Sequence, residues 1–143
     1  MTPEENKAIV EEFLSYARDP QKLHLTSQYL TPDFKRHDVF NLFTFRTGVN
    51  GVNEHMSQVY AAFPDFRAEI LDLFAAEGDR VIVRYSGHGT FTGELFGIRG
   101  SGQNVSWQAI NIYQLENGKV AETWQHMDGL AILRQIGAIQ ERT

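Results

Sequence analysis

Near the C-terminus, Trp124, His126 and Asp128 fall at alternate positions of a run that opens with Val120 and Glu122. Alternate residues of a strand share one face, so this spacing predicts an apolar face ending in an imidazole and a carboxylate. Burial in an apolar pocket makes a carboxylate a stronger base, and one well-placed base suffices to take a proton from a carbon between two carbonyls. Asp128 is the first candidate for that base. His126, two positions earlier on the same face, is placed to tune the aspartate or to hold a substrate carbonyl. Each has a plainer reading: Asp128 directly precedes a predicted helix, where aspartate is a favoured N-cap, and His126 also reads as a partly buried, satisfied histidine. Trp124 reads first as core and also fits a substrate-facing pocket wall, because a pocket wall is still packed on one side.

Asn111 shares a strand face with Trp107, Ala109, Tyr113 and Leu115. A lone amide on such a face needs a partner if buried, either a ligand carbonyl or a neighbouring backbone group. His37 and Asp38 are adjacent on an extended piece, so they point to opposite faces and form no dyad with each other. His24, His55 and His88 lack metal-ligand spacing and read as surface residues. Arg84, in the middle of a predicted strand, falls opposite Val83 and Tyr85 and so outside. The glycines at 93, 97, 100 and 102 neither include Gly-Lys-Ser/Thr nor open a helix; they read as a loop over a pocket mouth rather than a phosphate loop. No Gly-x-Ser-x-Gly nucleophile elbow occurs.

The elements that must position these groups divide the chain into halves. Thr2-Pro3-Glu4-Glu5 is a capping box with proline at the first helical position, and Ile9, Val10, Phe13, Leu14 and Ala17 then recur at helical spacing. Asp19-Pro20 stops that helix. A short helix over roughly 22–30 and an extended piece over 34–40 follow. Val52, Met56, Val59, Tyr60 and Phe63 then mark a helix ended by Pro64. The second half reads as strands over 66–76, 80–91 and 105–115, an Asn117-Gly118 hairpin turn, a fourth strand, and a last helix over about 129–136. Helices first and a long-stranded meander after them predict an α+β fold, a curved, mostly antiparallel sheet wrapped around the N-terminal helix.

A length of 143 residues, with 42% hydrophobic and 22% charged residues, fits one domain over residues 1–143. The net charge of −5 opposes a nucleic-acid or anionic-membrane partner. The chain holds no cysteine, which excludes disulfides and thiolate metal sites. The polar, acidic N-terminus is unlike a signal peptide and no stretch reaches transmembrane length, so a cytoplasmic location is expected. Ile82, Ile110 and Ile112 fall on the sheet face opposite Asn111 and Val83, an apolar patch that predicts a homodimer through the outer face.

Gly118-Lys119-Val120-Ala121-Glu122-Thr123-Trp124 through Asp128, followed by a short helix ending Gln135-Ile136-Gly137, resembles the C-terminal signature of the SnoaL-like polyketide cyclases, within the nuclear-transport-factor-two-like superfamily. Tyr29-Leu30-Thr31-Pro32-Asp33-Phe34 through His37, Ala62-Phe63-Pro64-Asp65-Phe66, Glu77-Gly78-Asp79-Arg80-Val81, and Gly89-Thr90 with Gly93 extend the resemblance over nearly the whole chain. It implies a cone fold with a central apolar pocket, and a cofactor-free cyclase or isomerase-type enzyme acting on a polyketide-like or other small carbonyl ligand. Asp128 then matches the family's acid/base aspartate, and His37 carries over as a pocket residue. Asn111 and Phe91 stand where the family commonly has histidine. Two other functions fit the same fold: a non-catalytic small-molecule binding module, and an epoxide hydrolase, which wants a water held by an Asp-Arg-Asp set.

Overall fold

The structure is a computed structural model that describes residues 1–40 and 47–140. Helix α1 covers Pro3–Ala17 and opens as its sequence dictates: the Thr2 hydroxyl accepts from the Glu5 amide while the Glu5 carboxylate accepts from the Thr2 amide. The expected short helix is a 3-10 segment, Leu23–Tyr29, and leads into strand β1, Leu30–Asp38. Helix α2 covers Gly51–Ala62. The strands β2 (Arg67–Ala76), β3 (Arg80–Phe91), β6 (Gln103–Glu116) and β7 (Lys119–Met127) form the expected meander. Helix α3, Gly129–Gln135, closes it. Asn117 and Gly118 take the positive φ values that their hairpin turn requires, 49° and 81°.

The main sheet has the order β1-β7-β6-β3-β2. Every pairing is antiparallel except β1 with β7. The sheet is curved and open, and it cups α1 and α2. The glycine-rich stretch forms a small hairpin, β4 (Glu94–Leu95) with β5 (Ile98–Arg99), rather than a free loop over the pocket. Leu95 is buried beneath α2 with Val59, Ala62 and Phe63.

Two apolar clusters fill the inside of the cup. One joins α1 to the turn-proximal ends of β3, β6 and β7 through Val10, Phe13, Val81, Leu115 and Val120. The other gathers Phe63, Phe91, Val105, Trp107 and Ile132 at the opposite end. Gly87 on β3 permits this second cluster, because a Cβ there would lie 2.7 Å from the Trp107 indole. Met56 packs against both clusters, and beside it a cavity remains between them.

Candidate functional site

The cavity has a volume of about 80 Å³ and is bounded by α1, α2 and the concave face of all five strands of the main sheet. Its wall is mostly apolar, with Phe13, Val52, Met56, Phe66, Ile70 and Val83 contributing. Against that wall stands a compact polar group: Arg36 and Asp38 from β1, His55 from α2, Tyr85 from β3, Asn111 and Tyr113 from β6, and Gln125 from β7.

Arg36 is the hub. Its Nε donates to both oxygens of Asp38, at 2.9 and 3.1 Å. Its Nη2 lies 3.2 Å from His55 Nε2 and donates to Gln125 Oε1. Arginine has only donors, so the His55 nitrogen facing it is the acceptor and carries no proton. Burial, and then the adjacent guanidinium, hold His55 well below its ordinary pKa of 6.5 and keep it neutral. The Arg36 and Asp38 side chains are only 8% and 6% exposed. A charge so buried is tolerable because it is paired and hydrogen-bonded. Gln125 Nε2 passes the chain on to the Tyr85 hydroxyl at 3.1 Å, and Asn111 Nδ2 donates to the Tyr113 hydroxyl at 2.9 Å. Burial raises both phenols, so each stays protonated. Among the described residues, Asn111 Oδ1 is buried without a hydrogen-bond partner.

Of the residues singled out from sequence, Asn111 lines this cavity, and its strand face is buried as its parity predicts. Trp124, His126, Asp128 and His37 do not line it. On β7 the cause is a bulge: Leu115 pairs with Val120 but Gln114 pairs with Glu122, leaving Ala121 extra. One extra residue inverts parity beyond it. Val120 faces inward as expected, but after the bulge Thr123, Gln125 and Met127 face inward while Trp124 and His126 face out. Asp128 is exposed and N-caps α3, its carboxylate accepting from the Ala131 amide at 3.1 Å, which is the plainer of its two readings. His37 is exposed on the outer face, stacked on Trp124 with ring centroids 5.5 Å apart and bonded to Glu122 at 2.6 Å.

The residues that sequence reasoning missed left partial signals. Phe34 is an obvious core aromatic, and Arg36 and Asp38 follow it at strand spacing, so its burial fixes their direction. His55, expected at the surface, is buried because it lies three residues after Val52 and four before Val59, on the core face of α2. Arg84 is outside, paired with Asp72 at 2.6 Å, and the arginine paired with the cavity's aspartate is Arg36. For Gln125 no signal exists in the sequence, because nothing there announces the bulge.

Solved structures share this fold over nearly the whole chain. AclR from Streptomyces galilaeus, described as a candidate hydroxylase, is 25% identical with a TM-score of 0.82, over 99% of this chain and 87% of its own. TsrD from Streptomyces laurentii is 26% identical with a TM-score of 0.78, over 97% and 99%. A candidate SnoaL-like polyketide cyclase from Jannaschia sp. CCS1 shares the fold at 22% identity and a TM-score of 0.81, over 98% of each chain. No curated protein matches the sequence. The family model for SnoaL-like polyketide cyclases matches residues 8–136, and with its fold, its cavity and that match in agreement, the chain belongs to the SnoaL-like polyketide cyclase family.

Proposed function

We propose that the cavity binds a small, largely apolar carbonyl compound, and that Asp38 is the general base of a cyclase or isomerase-type reaction on it. One observation carries this reading: Asp38 is the one carboxylate among the described residues that line the cavity. The carboxylate removes a proton from the carbon next to a substrate carbonyl. The C–H electron pair moves into the carbonyl group, whose oxygen becomes an enolate. In a cyclase the enolate carbon then attacks a second carbonyl of the same molecule, a C–C bond forms, and the protonated Asp38 returns its proton to the new alkoxide. Arg36 holds the carboxylate in place and supplies fixed positive charge beside the developing oxyanion.

The test is solvent-deuterium incorporation into a slowly exchanging cyclic ketone such as 2-tetralone, followed by NMR. The wild-type protein should accelerate exchange, and Asp38→Asn should reduce the acceleration by roughly a hundred- to ten-thousand-fold. A wild-type protein that binds the ketone without accelerating exchange is the binding module instead. The arginine-aspartate pair also gives the hydrolase reading a foothold, since it can hold a water. The cavity-lining residues described here supply only one aspartate of the Asp-Arg-Asp set, so turnover of an epoxide in place of exchange would favour that chemistry.

The outer sheet face supports self-association. Phe74, Ile82, Ile112 and Trp124 align in register across β2, β3, β6 and β7, and Phe74 and Ile110 are 52% and 45% exposed. A second copy of this chain covering that face is part of the proposal. Among the described residues, no helix is long and apolar enough to cross a membrane.

A further inference from the structure

The hydrogen-bond chain from Arg36 runs through Gln125 and ends at the Tyr85 hydroxyl, whose proton is placed by donor and acceptor rules. A guanidinium cannot accept, so the side-chain oxygen of Gln125 must be the atom facing Arg36. The amide nitrogen of Gln125 is therefore its other end, and it must donate to Tyr85. The Tyr85 oxygen accepts that bond and keeps its own proton, for which no acceptor occurs among the described residues. Tyr85 faces the cavity. Each link polarises the next: the cation draws density from the amide, and the amide from the phenol oxygen, which strengthens the phenol as a donor.

Resting on the carbonyl-substrate reading above, we propose that the Tyr85 hydroxyl, aimed by the Arg36–Gln125 relay, donates the hydrogen bond that receives the oxygen anion of the substrate. The ligand class is thereby narrowed to molecules that present an enolate or phenolate oxygen at the polar end of the cavity. Asp38 and Tyr85 line the same cavity, and both are tied to Arg36, Asp38 directly and Tyr85 through Gln125. Base and oxyanion donor thus flank one reacting centre. Tyr113 is the internal control. It accepts from Asn111, but among the described residues no arginine bonds that amide, whose Oδ1 has no partner, so no cation sets its orientation as Arg36 sets that of Gln125.

The experiment compares binding of 4-nitrophenolate, an oxyanion mimic, with binding of nitrobenzene, which lacks the oxygen, by titration of the full chain. The wild-type protein should prefer the phenolate. Tyr85→Phe should lower phenolate affinity about 10- to 100-fold, the range for a hydrogen bond to a charged group, and change nitrobenzene affinity less than about twofold. Gln125→Met, which keeps the phenol but removes its aim, should lose part of the same preference, and Tyr113→Phe should lose little. Circular dichroism melts confirm that each variant is folded. Equal losses for both ligands in Tyr85→Phe, or no loss, overturn the proposal; so does a wild-type protein with no phenolate preference. Asp38→Asn separates this from the function itself. If it abolishes exchange but keeps the phenolate preference, both assignments stand. Asp38-dependent exchange with a phenolate preference that Tyr85→Phe leaves unchanged removes the donor alone, and a Tyr85-dependent preference without any exchange removes the base alone.

Discussion

On the inner face of β1 and β7, Arg36 meets Asp38 at 2.9 Å with both side chains more than nine-tenths buried. One residue along on the outer face, His37 meets Glu122 at 2.6 Å with side chains 47% and 33% exposed. The two pairs are alike in contact distance and differ in environment. Water screens the outer pair and competes for its hydrogen bonds, so it contributes little. The inner pair has lost its water, so every remaining donor and acceptor must be met by protein or ligand. The proposed function accordingly assigns chemistry that needs fixed charge to the inner face, while His37, Trp124 and Glu122 stand on the outer one.

The largest expected contrast is in rate. Asp38→Asn should lose roughly a hundred- to ten-thousand-fold in ketone exchange, and Asp128→Asn should leave it unchanged, because asparagine still caps α3. Exchange that falls with Asp128→Asn and survives Asp38→Asn would reverse the assignment of faces. Next is stability. Arg36→Leu strands a buried carboxylate and should cost about 3–5 kcal/mol in urea unfolding, while Glu122→Gln, on an exposed pair, should cost at most about 1 kcal/mol. Equal costs would show that burial does not separate the two pairs.

The outer face is sharpened by Ile112→Glu. Sedimentation should show the wild-type chain at about twice its own mass, and the variant as a folded monomer, because a carboxylate there would be buried against its own copy. A wild-type monomer, or a dimer indifferent to the substitution, would place association elsewhere. A smaller effect comes from pH. His55 resists protonation in the fold while the unfolded chain takes a proton near 6.5. The unfolded state therefore binds more protons below that pH, and stability should fall as pH drops below about 6.5, by up to about 1.4 kcal/mol per unit until His55 itself titrates. His55→Gln keeps an acceptor for Arg36 and should flatten that slope between pH 6.5 and 5, whereas an unchanged slope would assign it to other groups. Smallest of all, Asp128→Ala should cost about 1 kcal/mol of thermal stability through the lost cap, with exchange intact.

Much of the fold was legible because it depends on local chemistry. The Thr2–Glu5 capping box, the Asn117-Gly118 turn and the alternation of Trp107 to Leu115 are each decided within a few residues. The family signature was legible for the same reason, since it follows chain order. Asn111 could be placed because β6 is regular past it, and Tyr85 because Val83 shares its face.

The site itself depended on two facts that are not local. The extra residue at Ala121 is visible only when β7 is laid against β6, where Leu115 meets Val120 and Gln114 meets Glu122. That one residue exchanges Trp124 and His126 for Thr123 and Gln125 on the cavity side. The parallel pairing of β1 with β7 sets Asp38 beside Gln125, 87 positions away in the chain, and packing of α2 brings His55 onto Arg36. The sequence by itself thus determined the elements and the inward aromatics that line a pocket. The tertiary structure decided which polar groups share that pocket, because facing on a strand is a parity, and parity is reset by register, which only the neighbouring strand can fix.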